Sequence, residues 1–187
     1  MMDELEPVEF FRHSVSDLLV VVEGFDFGPD PWQSSVRKDI LANSALWMER
    51  RTRCWLYRNQ AVQWIGVGFL GKSKWSFPQL RPEKREVMVI PALGIDSVFC
   101  GKPELDRSGD PQIDGRYSAQ IMRHLIDTAN STEIAVPADP PLLGLFVDPL
   151  NKRALGLYAR FGFCNIGPPW VCPDTHVLYD KYAMELD

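Results

Sequence analysis

Between Leu142 and Phe163 the chain reads LLGLFVDPLNKRALGLYARFGF, and the rest of the sequence organises around that stretch. An apolar run ends at Val147, Asp148 and Pro149 make a turn, and Asn151 opens a segment in which Ala154, Leu157, Tyr158 and Phe161 recur at helical spacing. Residues so spaced share one face, so the pattern predicts a strand, a tight turn and a helix. Asn151 suits a helix N-cap because its side-chain oxygen can accept from a first-turn amide. Gly162 can take the left-handed conformation that ends a helix, and Phe163 restarts extended chain.

Taken together, Val147, Pro149, Asn151, Lys152, Arg153, Ala154, Leu157, Tyr158, Arg160, Phe161, Gly162 and Phe163 closely resemble the fifth strand and fourth helix of the GCN5-related N-acetyltransferases. An ordinary strand and amphipathic helix accounts equally well for Ala154, Leu157 and Phe161, but not for Asn151 together with Tyr158. The resemblance implies an α/β fold. Its mixed central sheet would have about six to seven strands flanked by about four helices, with the fourth and fifth strands splayed apart.

With 187 residues, 45% hydrophobic and 24% charged, the chain fits a single domain over 1–187. No apolar run approaches the roughly 20 residues that cross a bilayer, and the opening MMDELEPVEF is unlike a signal or transit peptide. A cytoplasmic protein without a membrane partner is expected. The net charge of −5 argues against nucleic acid as a partner, even with Arg50, Arg51 and Arg53 close together. Cys54, Cys100, Cys164 and Cys172 lack the paired spacing of a zinc site and are expected to be free thiols, mostly buried. His13, His124 and His176 follow no ligand spacing, so no metal is expected.

In chain order, a first strand is expected over Val8 to Arg12. A helix follows from Ser14, with Asp17 completing a capping pair and Leu18, Leu19, Val22 and Phe25 on its apolar face. Gly24, Gly28, Pro29 and Pro31 break the chain, and Ser34 or Ser35 would cap a second helix running toward Leu46 or Arg50. The resemblance makes this region a wall of the acceptor pocket, with Trp32 and Trp47 either lining it or packed in the core. Thr52 to Tyr57 and Ala61 to Leu70 read as a hairpin. A polar loop is expected from Gly71 to Arg85, and a fourth strand from Glu86 to Phe99. Pro91 has no amide to give a central ladder, so it implies an edge or a bulge there. A bulge would splay that strand from its parallel neighbour, Leu142 to Val147. The run from Thr175 to Leu186 reads as a half-buried last strand.

A splayed strand end leaves backbone groups that need partners. In the family the pantetheine arm of acetyl-coenzyme A supplies them, which here implies contacts near Ile95. The family's phosphate loop is a nest of amides at a helix start with closely spaced glycines. This chain departs from it: Pro103 stands where the next glycine belongs, and Glu104 to Asp114 intervenes. The expectation is an enlarged loop entered at Gly101 and Lys102 and closed by Gly115, Arg116, Tyr117 and Ser118. Registers pairing Gln112 with Gly115, or Asp114 with Ala119, stay open. The helix beyond carries Ile121, Met122, Leu125, Ile126 and Ala129 on one face. Asn151 joins the expected coenzyme contacts.

The resemblance implies acetyl transfer from acetyl-coenzyme A to an amine. Tyr158 would act as the general acid at the departing sulfur, and a backbone amide near Ile95 would stabilise the carbonyl oxygen. Glu86 is the first choice of base, with Asp96, Glu23, His13 and a water relay as alternatives. The acceptor stays open among small amines, amino acids, antibiotics and protein termini. So does pairing of the last strand across a homodimer. The rival reading is a degenerate fold that binds acyl-coenzyme A or a partner protein without catalysis.

Overall fold

The computed structural model describes residues 5–76, 85–100, 116–132, 140–171 and 178–187. Its elements are β1 (Glu6–Phe10), α1 (Val15–Glu23), α2 (Pro31–Glu49), β2 (Arg53–Arg58), β3 (Trp64–Trp75), β4 (Arg85–Ile90) and β5 (Leu93–Ile95), followed by α3 (Tyr117–Asn130), β6 (Leu142–Val147), α4 (Lys152–Arg160), β7 (Cys164–Asn165), β8 (Trp170–Val171) and β9 (Leu178–Glu185). Short 3-10 turns lie at Arg12–Ser14 and Ser97–Phe99. The hydrogen-bonded order is β1-β2-β3-β4-β6-β9-β7, with β5 on β3 and β8 on β9. Among the described residues nine strands stand where about six to seven were expected. The expected fourth strand breaks into β4 and β5, and two short segments, β7 and β8, flank β9.

The chain forms two compact units, Met1–Phe69 with Ala92–Leu125, and Leu70–Pro91 with Ile126–Asp187. In the first, β1 runs antiparallel to β2, and two bidentate pairs, Glu6 with Arg58 and Glu9 with Arg53, lie along the ladder. Leu18, Val22, Phe25, Phe27, Ile40 and Met48 pack against Cys54, Leu56, Val67, Phe69 and Ala92. Trp47 joins this core, its ring edge-on to Phe69 at 5.2 Å. The side chain of Trp32 lies outside what the structure describes. Ile121, Met122 and Leu125 of α3 are buried, and Gly68 makes room for them: a Cβ there would lie 3.2 Å from Leu125 Cδ1.

α1 starts at Val15 with Ser14 at its N-cap, as expected, although Ser14 makes no side-chain cap bond. α2 begins at Pro31 rather than at Ser34 or Ser35, with Asp30 at the N-cap and the Gln33 side chain accepting from the Asp30 amide at 2.8 Å. Proline at the first helical position costs nothing, since that amide has no intrahelical partner.

In the second unit, the end of β3 pairs antiparallel with β4, β4 pairs parallel with β6, and β6 pairs antiparallel with β9. The expected polar loop from Gly71 is therefore strand as far as Trp75. The reason is Trp75 itself, which is buried with Val87 against Val89, Leu142, Phe146 and Ile166. Gly144 lies under that indole, so close that a Cβ would sit 2.3 Å from Trp75 Cη2. β6 spans Leu142–Val147 as expected. Cys54, Cys100 and Cys164 are free thiols as expected, but of these only Cys54 is buried: Cys100 is half-buried, Cys164 is exposed, and Cys172 lies outside the described residues. No described helix is long and apolar enough to cross a membrane.

Candidate active site

β4 and β5 both pair with β3, but in registers one residue apart. Gly71 faces Val89 and Gly68 faces Leu93, so three steps of β3 are matched by four steps, 89 to 93, of the other strand. This is a β-bulge. The Phe69 amide donates to the Ala92 carbonyl at 3.0 Å, which leaves Pro91 as the extra residue. The expectation for Pro91 is met, and for the stated reason: the ladder needs no amide there.

The bulge sets the phase of β5. The Asp96 amide donates to the Ile65 carbonyl at 2.9 Å, and Phe69 donates to Ala92. In an antiparallel ladder bonded pairs alternate with non-bonded ones. The pairs Gly66–Ile95 and Gly68–Leu93 are therefore the non-bonded ones, and the N–H and C=O of Leu93 and Ile95 point away from β3. Among the described residues no strand pairs with that outer edge. The Ile95 carbonyl takes one weak contact, from Cys100 Sγ at 3.9 Å.

In the second unit, β4 pairs with β6 over Met88–Ile90 and Leu143–Leu145, while Phe146 and Val147 continue β6 with β9 beside them. Asp148 Oδ1 accepts from the Leu150 amide at 2.8 Å and turns the chain. Asn151 then caps α4, its Oδ1 accepting from the Ala154 amide at 3.0 Å, and Gly162, at φ +87°, ends the helix as expected. Tyr158 is buried, its ring 5.8 Å from that of Phe163. Burial pushes its hydroxyl up to about 12. Among the described residues that hydroxyl has no hydrogen-bond partner.

The four residues considered as bases differ in setting. Glu86 is half-buried on β4 opposite Lys74 and shares a strand face with the buried Met88 and Ile90. Asp96 is already engaged: Oδ1 accepts from the Val98 amide at 3.0 Å and Oδ2 from the Asp26 amide at 3.3 Å. Glu23 is exposed at the end of α1, its carbonyl taken by the Arg37 guanidinium. His13 is exposed and stacks on Phe11.

Solved structures align with nearly the whole chain. A probable acetyltransferase from Staphylococcus epidermidis aligns over 98% of this chain and 99% of its own, at 8% identity and a TM-score of 0.63. A mutant form of the spermidine/spermine N-acetyltransferase SpeG from Vibrio cholerae aligns over 97% and 94%, at 13% identity and 0.52. A mutant form of the AtaT toxin, bound to the C-terminus of the antitoxin AtaR and to acetyl-CoA, aligns over 95% and 92%, at 15% identity and 0.53. The chain has the GCN5-related N-acetyltransferase fold. No family model and no curated protein matches the sequence.

The bulge in the fourth strand is the feature that the sequence led us to expect. The phosphate-loop expectations at Gly101, Lys102 and Gly115 lie outside the described residues. Arg116, Tyr117 and Ser118 stand at the start of α3. The Arg116 carbonyl accepts from the amides of Ala119 and Gln120, so Arg116 holds the capping position and Ser118 lies within the first turn. Tyr117 sets its ring edge-on to Phe99 at 6.0 Å, joining the helix start to the 3-10 turn after β5. The structure thus groups Ile95 with Arg116, Tyr117 and Ser118 in one unit, and Glu86 with Asn151 and Tyr158 in the other. Leu93, the second residue with outward backbone groups, escaped the sequence reading. Strand phase depends on the partner register, which no local pattern encodes.

Proposed function

We propose that the protein is a cytoplasmic N-acetyltransferase that transfers the acetyl group of acetyl-coenzyme A to a primary amine. The observation that carries this is the outer edge of β5. Its outward amides and carbonyls at Leu93 and Ile95 match the amide groups of a pantetheine arm, which can bond there like an added strand. Acetyl-CoA in the AtaT structure and the activity in the SpeG name support the same choice of donor.

The amine nitrogen attacks the thioester carbonyl, the carbon–sulfur bond breaks, and coenzyme A leaves. A backbone amide of β5 stabilises the oxygen on which charge develops. Tyr158 is our choice of group to act on the leaving sulfur. With its hydroxyl held near 12 it stays neutral and donates a hydrogen bond to the forming thiolate. A thiol ionises at about 8.5, so outright transfer of that proton is uphill, and the proton the sulfur gains is the one the nitrogen sheds after the neutral amine has attacked. Glu86 is our choice for taking the amine's first proton. The pyrophosphate sits at the start of α3, where the amides of Tyr117 and Ser118 lack intrahelical partners and Arg116 adds charge. Gly101, Lys102 and Gly115, which lie outside the described residues, stay candidates for phosphate contact from the sequence alone, and Asn151 contributes by fixing the start of α4.

The test is a calorimetric titration with acetyl-coenzyme A, followed by thiol release across a panel of primary amines. Micromolar binding with turnover on at least one amine is expected. Absence of binding to folded protein would overturn the reading. Binding without turnover on any amine would favour the acyl-coenzyme A-binding module instead.

A further inference from the structure

β5 has three residues, too few to hold its own conformation by ladder bonds alone. Something else must fix the direction in which its outer groups point. The loop between α1 and α2 does so through a set of short bonds. Ser97 Oγ donates to Asp26 Oδ2 at 2.9 Å, the Ser97 amide donates to the Asp26 carbonyl, and the Asp26 amide donates to Asp96 Oδ2 at 3.3 Å. The other Asp26 oxygen accepts from the Gly28 amide at 2.9 Å, which shapes the loop itself. One residue on, the Phe27 ring lies on Gly94, where a Cβ would come within 2.5 Å of Phe27 Cε1. Gly94 is the middle residue of β5, and its neighbours carry the outward groups.

We propose that this clasp, Asp26 on Ser97 with Phe27 seated on Gly94, is the positioning device for the outer edge of β5. It acts from the α1–α2 loop and holds the Leu93 and Ile95 backbone ready for an extended amide-bearing ligand. That the ligand is acetyl-coenzyme A rests on the function proposed above. That the clasp orders the edge does not. Asp26 and Ser97 are positioning residues: they touch the strand's exit and not the reacting atoms. A loose edge would still react once filled, so the clasp should govern affinity and leave turnover alone.

The experiment compares the full chain with Ser97→Ala and Ser97→Thr. Loss of one hydroxyl bond to a carboxylate should raise the Kd for acetyl-coenzyme A roughly five- to tenfold. kcat at saturation should stay within about twofold, and Ser97→Thr, which keeps the hydroxyl, should restore the wild-type Kd. Amide exchange over residues 93–96, measured without ligand, should accelerate in Ser97→Ala by a comparable factor and recover in Ser97→Thr. Wild-type exchange and Kd in Ser97→Ala would overturn the clasp and leave the acetyltransferase reading intact. If wild type fails to bind acetyl-coenzyme A, that reading falls and the exchange result alone decides the clasp. A large fall in kcat with unchanged Kd would also overturn it.

Discussion

Replacing Tyr158 by phenylalanine removes one oxygen from a buried ring whose hydroxyl has no described partner, so the fold should barely notice. The change in unfolding free energy should stay within about 0.5 kcal/mol. Catalysis should notice. The hydroxyl is held at about 12 and a thiol ionises at about 8.5, so moving its proton to a departing sulfur would cost about 5 kcal/mol. A hydrogen bond to the forming thiolate avoids that cost and is worth about 1.5–3 kcal/mol. Its loss should lower kcat about 10- to 100-fold while the Kd for acetyl-coenzyme A stays put. Full general-acid catalysis would be worth up to about 10⁴-fold. The assay is thiol release at saturating donor and acceptor. A kcat within twofold of wild type would remove Tyr158 from the chemistry, and a loss beyond about a thousandfold would refute the donor-only role.

The same shift fixes the pH dependence. Because the folded value lies above the ordinary 10 of a tyrosine, the unfolded chain ionises first as pH rises. The contribution is complete below pH 10 and is lost between pH 10 and about 12, at up to about 1.4 kcal/mol per unit. Urea midpoints in that window should therefore fall less steeply in Tyr158→Phe. Burial also raises Tyr57, so the slope should shrink and not vanish. Equal slopes in the two proteins would show that the hydroxyl is not desolvated.

Three further outcomes can be measured on the same protein. Gly144→Ala should cost about 1–3 kcal/mol in urea unfolding because its methyl meets the Trp75 ring, and most of that cost should disappear in a Trp75→Leu background. Val62, exposed at the hairpin turn, has φ +62°, an unfavourable conformation for a β-branched residue, so Val62→Gly should raise stability by up to about 1 kcal/mol. Asn151→Ala should cost about 1 kcal/mol by losing the α4 cap, whereas Asn151→Asp should retain it. If Asn151 acts only through the helix start, Asn151→Asp should also keep the wild-type Kd for acetyl-coenzyme A.

The segment from β6 through α4 was legible to the residue because its signals are local. An apolar run sets the strand, an asparagine bonds its own helix, and a glycine ends it at positive φ. Pro91 was legible because a missing amide excludes a regular ladder wherever the strand lies. The end of β3 was not. Lys72 and Lys74 are exposed and Gly71 and Ser73 are small, so the run reads as loop until β4 supplies the other half of the ladder. Pro31 was read as a breaker because a proline signals a helix start only once its N-cap is identified. Of the proposed site residues, Tyr158 and Asn151 were singled out by a dense motif. The bonds of Asp26 with Ser97 span 71 residues and left no mark in either neighbourhood.

Pro91 joins these two kinds of information. The residues before it, Val87 and Val89, lie on the face of β3 residues 73 and 71, and those after it, Ala92 and Gly94, lie on the face of Phe69 and Val67. The inserted residue thus exchanges odd for even positions on that face of the ladder, and it bends the strand as bulges do. Deleting Pro91 leaves both sets of pairs able to form, with Ile90 followed directly by Ala92 in one regular ladder. The protein should then fold, but without the bend that keeps the outer groups of Leu93 and Ile95 open to a ligand. Acetyl-coenzyme A affinity should drop at least tenfold while circular dichroism stays unchanged, and a deletion variant that folds and binds like wild type would show that the bulge is not what opens the edge.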